Sequence, residues 1–186
     1  AIGKEVSLYD VGDEVFGETT LNFSANAEYL AISEMGIVDN KPDCINHFEA
    51  STICDGPMTS YNFLKLVANV EPGEKILVNG ASGSLGTAAV QLAKSFGAYV
   101  TGVCSNKNID LVKELGADKV LDYNIEDFTK AEEKYDIIYD TIGKSSYSDC
   151  KRILNPKGTY MSPVLSMNLL CTMMRTSIFK RRMYNM

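Results

Sequence analysis

Hydrophobic and polar positions follow two rhythms along this chain, and the change of rhythm divides it. Up to about Pro42 the apolar residues come in short runs separated by turn residues such as Gly12-Asp13. Glu14-Val-Phe-Gly17 and Glu28-Tyr-Leu-Ala-Ile32 predict short strands there, and so a small β domain. From Asn46 to Val70 the spacing turns helical, with Pro57 dividing it into two segments and Pro72-Gly73 closing the second.

Beyond Pro72 the pattern becomes regular. Ile76, Leu77 and Val78 suit a strand covered on both faces, while Leu85, Ala88, Ala89, Leu92, Ala93 and Phe96 recur at helical spacing. A strand at Tyr99 to Cys104 follows, then a helix through Leu111, Val112 and Leu115 to Gly116, and a strand at Lys119 to Asp122. Ile125 to Lys130 predicts a short helix and Tyr135 to Asp140 a strand. Ser145 or Ser146 can cap a helix through Leu154, stopped by Asn155-Pro156, and Gly158 to Ser162 supplies a fifth strand. Such alternation means an α/β fold, a doubly wound parallel sheet with helices on its faces. From Asn168 onward a methionine-rich helix ending in Lys180-Arg-Arg182 is expected where a sixth strand would stand.

Composition narrows the field. The 186 residues are 45% hydrophobic and 23% charged, ordinary values for a globular protein with a sizeable core. A formal charge of −6 opposes general affinity for nucleic acid or an anionic membrane, and no apolar run reaches the length of a membrane span. Lys180, Arg181 and Arg182 more simply complement a helix dipole than mark a nucleic-acid patch. Five scattered cysteines and a single histidine, His47, give neither a zinc-ligand cluster nor a hydrolase triad, so no metal is expected. His47, beside Asn46 at a helix start, reads as a surface or capping residue. Free thiols and the lack of a signal pattern at the N-terminus point to the cytoplasm.

The chemistry lies in the joint between the first strand and helix of the regular part. Gly80, Gly83 and Gly86 there let backbone N–H groups approach a phosphate at the positive end of a helix dipole, and the glycines admit positive φ. A strand, a glycine turn, a helix and a second strand form the unit that binds a dinucleotide. A nucleotide P-loop is disfavoured because no Gly-Lys-Ser or Gly-Lys-Thr follows. At the end of the second strand an NAD site offers an acidic side chain to the ribose. This chain instead reads Cys104-Ser105-Asn106-Lys107-Asn108, a set suited to a 2′-phosphate, which favours NADP(H). Asn106 or Asn108 can also cap the following helix, and the two roles can coexist.

Val11-Gly-Asp-Glu-Val-Phe-Gly17, Ala27-Glu-Tyr29, Thr59-Ser-Tyr61, the stretch from Asn79 to Lys94, Leu115-Gly-Ala-Asp118 and Leu121-Asp-Tyr123 together resemble the medium-chain dehydrogenase/reductase superfamily. Within it, they are similar to the zinc-independent NADPH:quinone oxidoreductase, or zeta-crystallin-like, branch. The resemblance implies that residues 1–54 are part of a GroES-like catalytic domain without its opening strands. It implies that residues 55–186 are a Rossmann cofactor domain, incomplete at its C-terminal end. It places Ser82, Ser84 and Leu85 at the pyrophosphate, beside Gly83 and Gly86 of the glycine turn, and Ser105 with Tyr123 at the 2′-phosphate, helped by Lys107 and Asn108. Thr59 falls near the nicotinamide, and Thr141-Ile-Gly143 borders the nicotinamide ribose. The implied activity is NADPH-dependent hydride transfer to a quinone, enone or similar activated carbonyl, with a small-molecule electron acceptor as partner and room for a homodimer. The alternative is an NADPH-binding regulatory or structural protein with little turnover. No catalytic acid, base or nucleophile can be named, since the family's substrate-facing residues come largely from the opening segment.

Overall fold

Val15–Glu18 (β1) and Ile37–Asn40 (β2) pair antiparallel, Val15 against Asn40 and Glu18 against Ile37. Gly17 makes this ribbon feasible, because a Cβ there would overlap the Ile37 carbonyl. The computed structural model describes residues 1–19, 25–164 and 183–184. The expected strand at Glu28 to Ile32 is not formed. A turn closed by Gly36 N–H on the Ser33 carbonyl (2.9 Å) instead delivers Ile37–Asn40 to β1. Alternation alone did not say which of two short runs would find a partner.

His47–Ile53 (α1) begins with a capping box. The Asn46 side chain accepts from Glu49 N–H, and the Glu49 carboxylate accepts from Asn46 N–H. Lys41 ties helix to ribbon, its nearly buried ammonium meeting Glu14 Oε2 at 3.0 Å and the Ile45 carbonyl at 2.8 Å. His47 is an exposed residue 3.4 Å from Glu14 Oε1. Gly56–Tyr61 (α2) carries Pro57 in its first turn, where a missing N–H costs nothing, and runs into a π-helical turn at Asn62–Val67.

The chain divides into two compact units, Ala1–Met58 and Thr59–Met186. The second is built on six parallel strands. Lys75–Asn79 (β3) leads through Ser84–Ser95 (α3) to Tyr99–Cys104 (β4). A 3-10 turn at Asn106–Asn108 and Ile109–Glu114 (α4) precede Lys119–Asp122 (β5). Tyr135–Asp140 (β6), Tyr147–Cys150 (α5), Leu154–Met161 (β7) and Met183–Tyr184 (β8) complete it. Spatial order is β5-β4-β3-β6-β7-β8. The connectivity therefore reverses direction between β3 and β6, and ligands of open α/β sheets bind in the crevice at such a point.

Ile76, Leu77 and Val78 are each 0% exposed, as a central strand of this sheet requires. Ile76 and Val78 join Ala89, Val90 and Ala93 of α3, with Phe63, Leu64 and Tyr139, on one face; Leu77 joins Val103, Ile138, Ile153 and Tyr160 on the other. At roughly 25 cal/mol per Å2 of apolar surface, each such side chain contributes about 1.5–3 kcal/mol, so the two layers dominate the stability of this unit.

Other expectations are corrected in this unit. The helix expected over Ile125 to Lys130 is a single 3-10 turn, Phe128–Lys130, started by Asp127, whose carboxylate accepts from Thr129 N–H at 3.1 Å. The helix capped by Ser146 stops at Cys150 rather than reaching Leu154, because Ile153 and Leu154 are drawn into the sheet's core. Asn155-Pro156 lies inside β7, where the register slips between Tyr135 paired with Leu154 and Ile137 paired with Thr159. Proline is tolerated at such an irregularity. Finally, β8 is a sixth parallel strand, Met183 facing Tyr160 and Tyr184 facing Met161, where five were expected. The methionine-rich helix expected from Asn168 to Arg182 lies outside the described residues.

Candidate functional site

The crevice at the β3–β6 reversal is formed by two loops. The first, Gly80 to Gly83, carries the chain from β3 into α3. Gly80 has φ +82, the left-handed region that favours glycine, and its N–H and that of Ala81 both donate to the Val103 carbonyl at 3.0 Å. Gly83 is the N-cap of α3 with no side-chain cap, and Thr87 N–H is the first to find a helical acceptor, the Gly83 carbonyl at 2.8 Å. Helix geometry therefore leaves Ser84, Leu85 and Gly86 N–H without intrahelical partners, a donor set for an anion. Gly86 is needed by the protein itself, since a Cβ would overlap the Gly80 carbonyl and lie 2.7 Å from Ala81 Cα. Gly83 is different. Its φ of −83 suits any residue, and a Cβ would meet only the Gly80 carbonyl oxygen, at 3.5 Å. The expectation that positive φ demands glycine thus holds at Gly80 and not at Gly83.

The end of β4 is joined to this cradle. Asn108 Nδ2 donates to Ser82 Oγ at 3.0 Å and lies 3.5 Å from Ser105 Oγ. Asn108 stands at the N-cap of α4 without a side-chain cap bond, and its amide instead links the two strand ends. Lys107 is exposed and makes no ion pair among the described residues. Tyr123, 55% exposed, follows β5 and donates its N–H to the Cys104 carbonyl at 3.2 Å, which sets it beside Ser105. Asp122, the last residue of β5, is buried and accepts from Asn124 N–H and Nδ2 at 2.9 and 2.8 Å. Burial and that charge push the Cys104 thiol above its ordinary value, and burial pushes Cys150 up to about 12, so neither is a ready nucleophile.

The second loop, after β6, holds Thr141 and Gly143. Thr141 donates its N–H and Oγ1 to the Asn79 carbonyl at 3.1 and 2.7 Å, and Gly143 sits at φ +68 with its N–H on Asp140 Oδ1 at 3.0 Å. Thr59 lies in α2 and makes no side-chain hydrogen bond among the described residues. Its neighbour Ser60, fully buried, donates to the Leu85 carbonyl in the first turn of α3 at 2.8 Å. The structure therefore brings Ser82, Ser105 and Asn108 into contact and sets Tyr123 and Lys107 next to them, with Thr141 and Gly143 across the crevice. Three residues escaped the sequence reading: Ser60, Asn79 and Asp140. A polar residue ending each strand beside the reversal was the available signal for the last two.

The donors present fit a dinucleotide. Among the described residues no group of three or more His, Cys, Asp or Glu side chains could hold a metal ion. Nor is any helix among them long and apolar enough to cross a membrane.

Residues 84–183 match the family described as zinc-binding dehydrogenase. The mouse protein "NAD(P)H oxidoreductase RTN4IP1, mitochondrial" is 31% identical over 151 residues, covering 77% of this chain and 38% of the relative. Tomato 2-methylene-furan-3-one reductase is 36% identical over 152 residues, covering 77% of this chain and 39% of the relative. The chain thus spans about two fifths of the length of these curated relatives. The solved quinone oxidoreductase of Coxiella burnetii superposes over 100% of this chain and 58% of its own, with a TM-score of 0.86 at 24% identity, a likeness of fold.

Proposed function

Because the chain belongs to the zinc-binding dehydrogenase family, within the medium-chain dehydrogenase/reductase superfamily, we propose that it binds NADP(H) and serves hydride transfer to a quinone, enone or similar activated carbonyl, without zinc. The observation that carries this reading is the Asn108 link between Ser82 and Ser105, which gathers the phosphate cradle and the end of β4 into one surface. The amides of Ser84, Leu85 and Gly86 would hold the pyrophosphate, with Ser82 at its side. Ser105, Lys107, Asn108 and Tyr123 would hold the 2′-phosphate, Lys107 as the one cation among them. Thr59, Thr141 and Gly143 would border the nicotinamide end. A bound nicotinamide would supply the hydride, and the chain's own residues would hold and orient the cofactor.

The names of the mouse and tomato relatives support an NAD(P)H-linked reduction and an enone-type substrate respectively. The described cysteines are free thiols, which suits a reducing compartment. The mouse relative's name places that protein in mitochondria, so the cytoplasmic expectation widens to any such compartment.

Calorimetric titration of the chain with NADPH and NADH tests the reading. Hydrogen bonds to a charged group contribute about 1.5–3 kcal/mol each, so NADPH should bind about tenfold or more tightly. Lys107→Ala should erase most of that preference while leaving NADH affinity as it was. Equal affinity in the native chain would overturn the choice of NADP(H).

A further inference from the structure

We propose that Asp140 is a positioning residue, which fixes the loop Thr141–Gly143 against the phosphate cradle and so sets the nicotinamide half of the site. This rests on the reading of the crevice as a cofactor site. Asp140 is 0% exposed and makes no ion pair among the described residues. A buried carboxylate without a cation is costly unless donors surround it, and here they do. Oδ1 receives Asn79 Nδ2 at 2.9 Å, Ile142 N–H at 3.2 Å and Gly143 N–H at 3.0 Å. Oδ2 receives Ser145 N–H at 2.9 Å and Ser145 Oγ at 2.6 Å. Tyr160 OH, 3.1 Å from Oδ2 and 2.8 Å from the Ser145 carbonyl, shares its single proton between two acceptors.

The donors are not scattered. Ile142, Gly143 and Ser145 give one irregular loop a single conformation, and Asn79 is the last residue of β3, directly before the cradle. The same junction is closed by Thr141 on the Asn79 carbonyl. It is packed so tightly that a Cβ on Gly80 would lie 2.5 Å from Thr141 Oγ1 and 2.6 Å from Ile142 Cγ1. One carboxylate therefore ties the two walls of the crevice together. The adenosine side, Ser82, Ser105, Asn108 and Tyr123, makes no hydrogen bond to it. Asparagine at 140 would keep the shape while turning an N–H2 toward backbone donors, so the loop would loosen and the adenosine side would not.

The test compares two probes on the full chain: NADPH, and adenosine 2′,5′-bisphosphate, which lacks the nicotinamide half. Asp140→Asn should weaken NADPH by about tenfold and leave the bisphosphate within about twofold. Amide hydrogen exchange should quicken at Ile142, Gly143 and Ser145 and stay slow in β3 and β4. Ser145→Ala, which removes one hydroxyl, should act in the same direction with smaller effect, and it decides the matter if Asp140→Asn does not fold. Equal weakening of both probes, or of neither, in folded variants overturns the positioning role. A native chain that binds neither probe overturns the cofactor reading instead, and this inference with it.

Discussion

Three glycines in one turn answer to three different demands, and substitution should separate them. Gly86→Ala places a Cβ on the Gly80 carbonyl and against Ala81 Cα, backbone that cannot swing aside, so urea denaturation should show a loss of about 1–3 kcal/mol or more. Gly83→Ser meets only one atom at 3.5 Å and supplies a better N-cap, so stability should hold or rise by about 0.5 kcal/mol. NADPH affinity should nonetheless fall about tenfold, because the new side chain stands where the phosphate must approach. A folded Gly83→Ser chain with native affinity would refute the cradle. The sequence spacing made all three glycines visible and could not distinguish them, since residue type does not reveal φ or the distance to a neighbouring carbonyl. Ser105 and Asn108 are candidates from their place after the second strand, whereas Ser82 enters only through the family resemblance. Asp140 was not legible, because its role depends on donors from Asn79, Ser145 and Tyr160, which are brought to it only by the folded sheet.

Elements were readable where local pattern and burial agree, as in β3, α3 and β4, each apolar on the side its neighbours require. They were misread where distant partners decide: Glu28–Ile32 lost its strand to Ile37–Asn40, and Leu154 was claimed by β6. One such long-range contact sets the N-terminal edge of the sheet. Glu133 reaches Lys75 of β3 at 2.7 Å and Lys119 of β5 at 3.2 Å, spanning the strand between them. The hydrogen bond from Lys75, joined by Lys119, outweighs burial and holds the Glu133 carboxyl below its ordinary 4.5. Its contribution is therefore complete above pH 4.5 and is lost as pH falls through the lowered folded value. Both lysines are raised above 10.5, Lys75 chiefly by Glu133, and Lys119 by the same partner against the opposing effect of its burial. Their contribution is complete below 10.5 and fades as pH rises through the raised values. Glu133→Gln should cost about 0.5–1 kcal/mol near neutral pH, and the difference from the native chain should vanish toward pH extremes on both sides. Urea melts across that range would show it; a difference constant in pH would mean that packing, not charge, accounts for the loss.

At the scale of the whole molecule, apolar burial is unevenly shared between the two units, and stability should be shared in the same way. In Thr59–Met186 both faces of the sheet are lined by fully buried aliphatic and aromatic side chains. In Ala1–Met58 the described residues contain one buried hydrophobic, Ala50, while Val11, Tyr29, Met35 and Phe48 stand 73%, 91%, 81% and 87% exposed. A two-stranded ribbon with no covered apolar face is marginal in water, and the pair of Lys41 with exposed Glu14 and the Asn46 capping box add little to it. The central strands β3, β4 and β6, by contrast, can open only when the apolar layers come apart, at a cost of about 5–15 kcal/mol for a domain of ordinary stability. Native-state hydrogen exchange should therefore resolve two tiers. Amides of β1 and β2 should exchange through local openings insensitive to low urea, whereas those of β3, β4 and β6 should exchange only through an opening whose free energy falls with urea at the slope of global unfolding. Saturating NADPH should raise protection in the second tier and leave the first unchanged, because a ligand stabilises only the cooperative unit that binds it. If instead both tiers showed one free energy and rose together with cofactor, the chain would unfold as a single cooperative body, and the stability of the ribbon would have to come from outside its own buried surface.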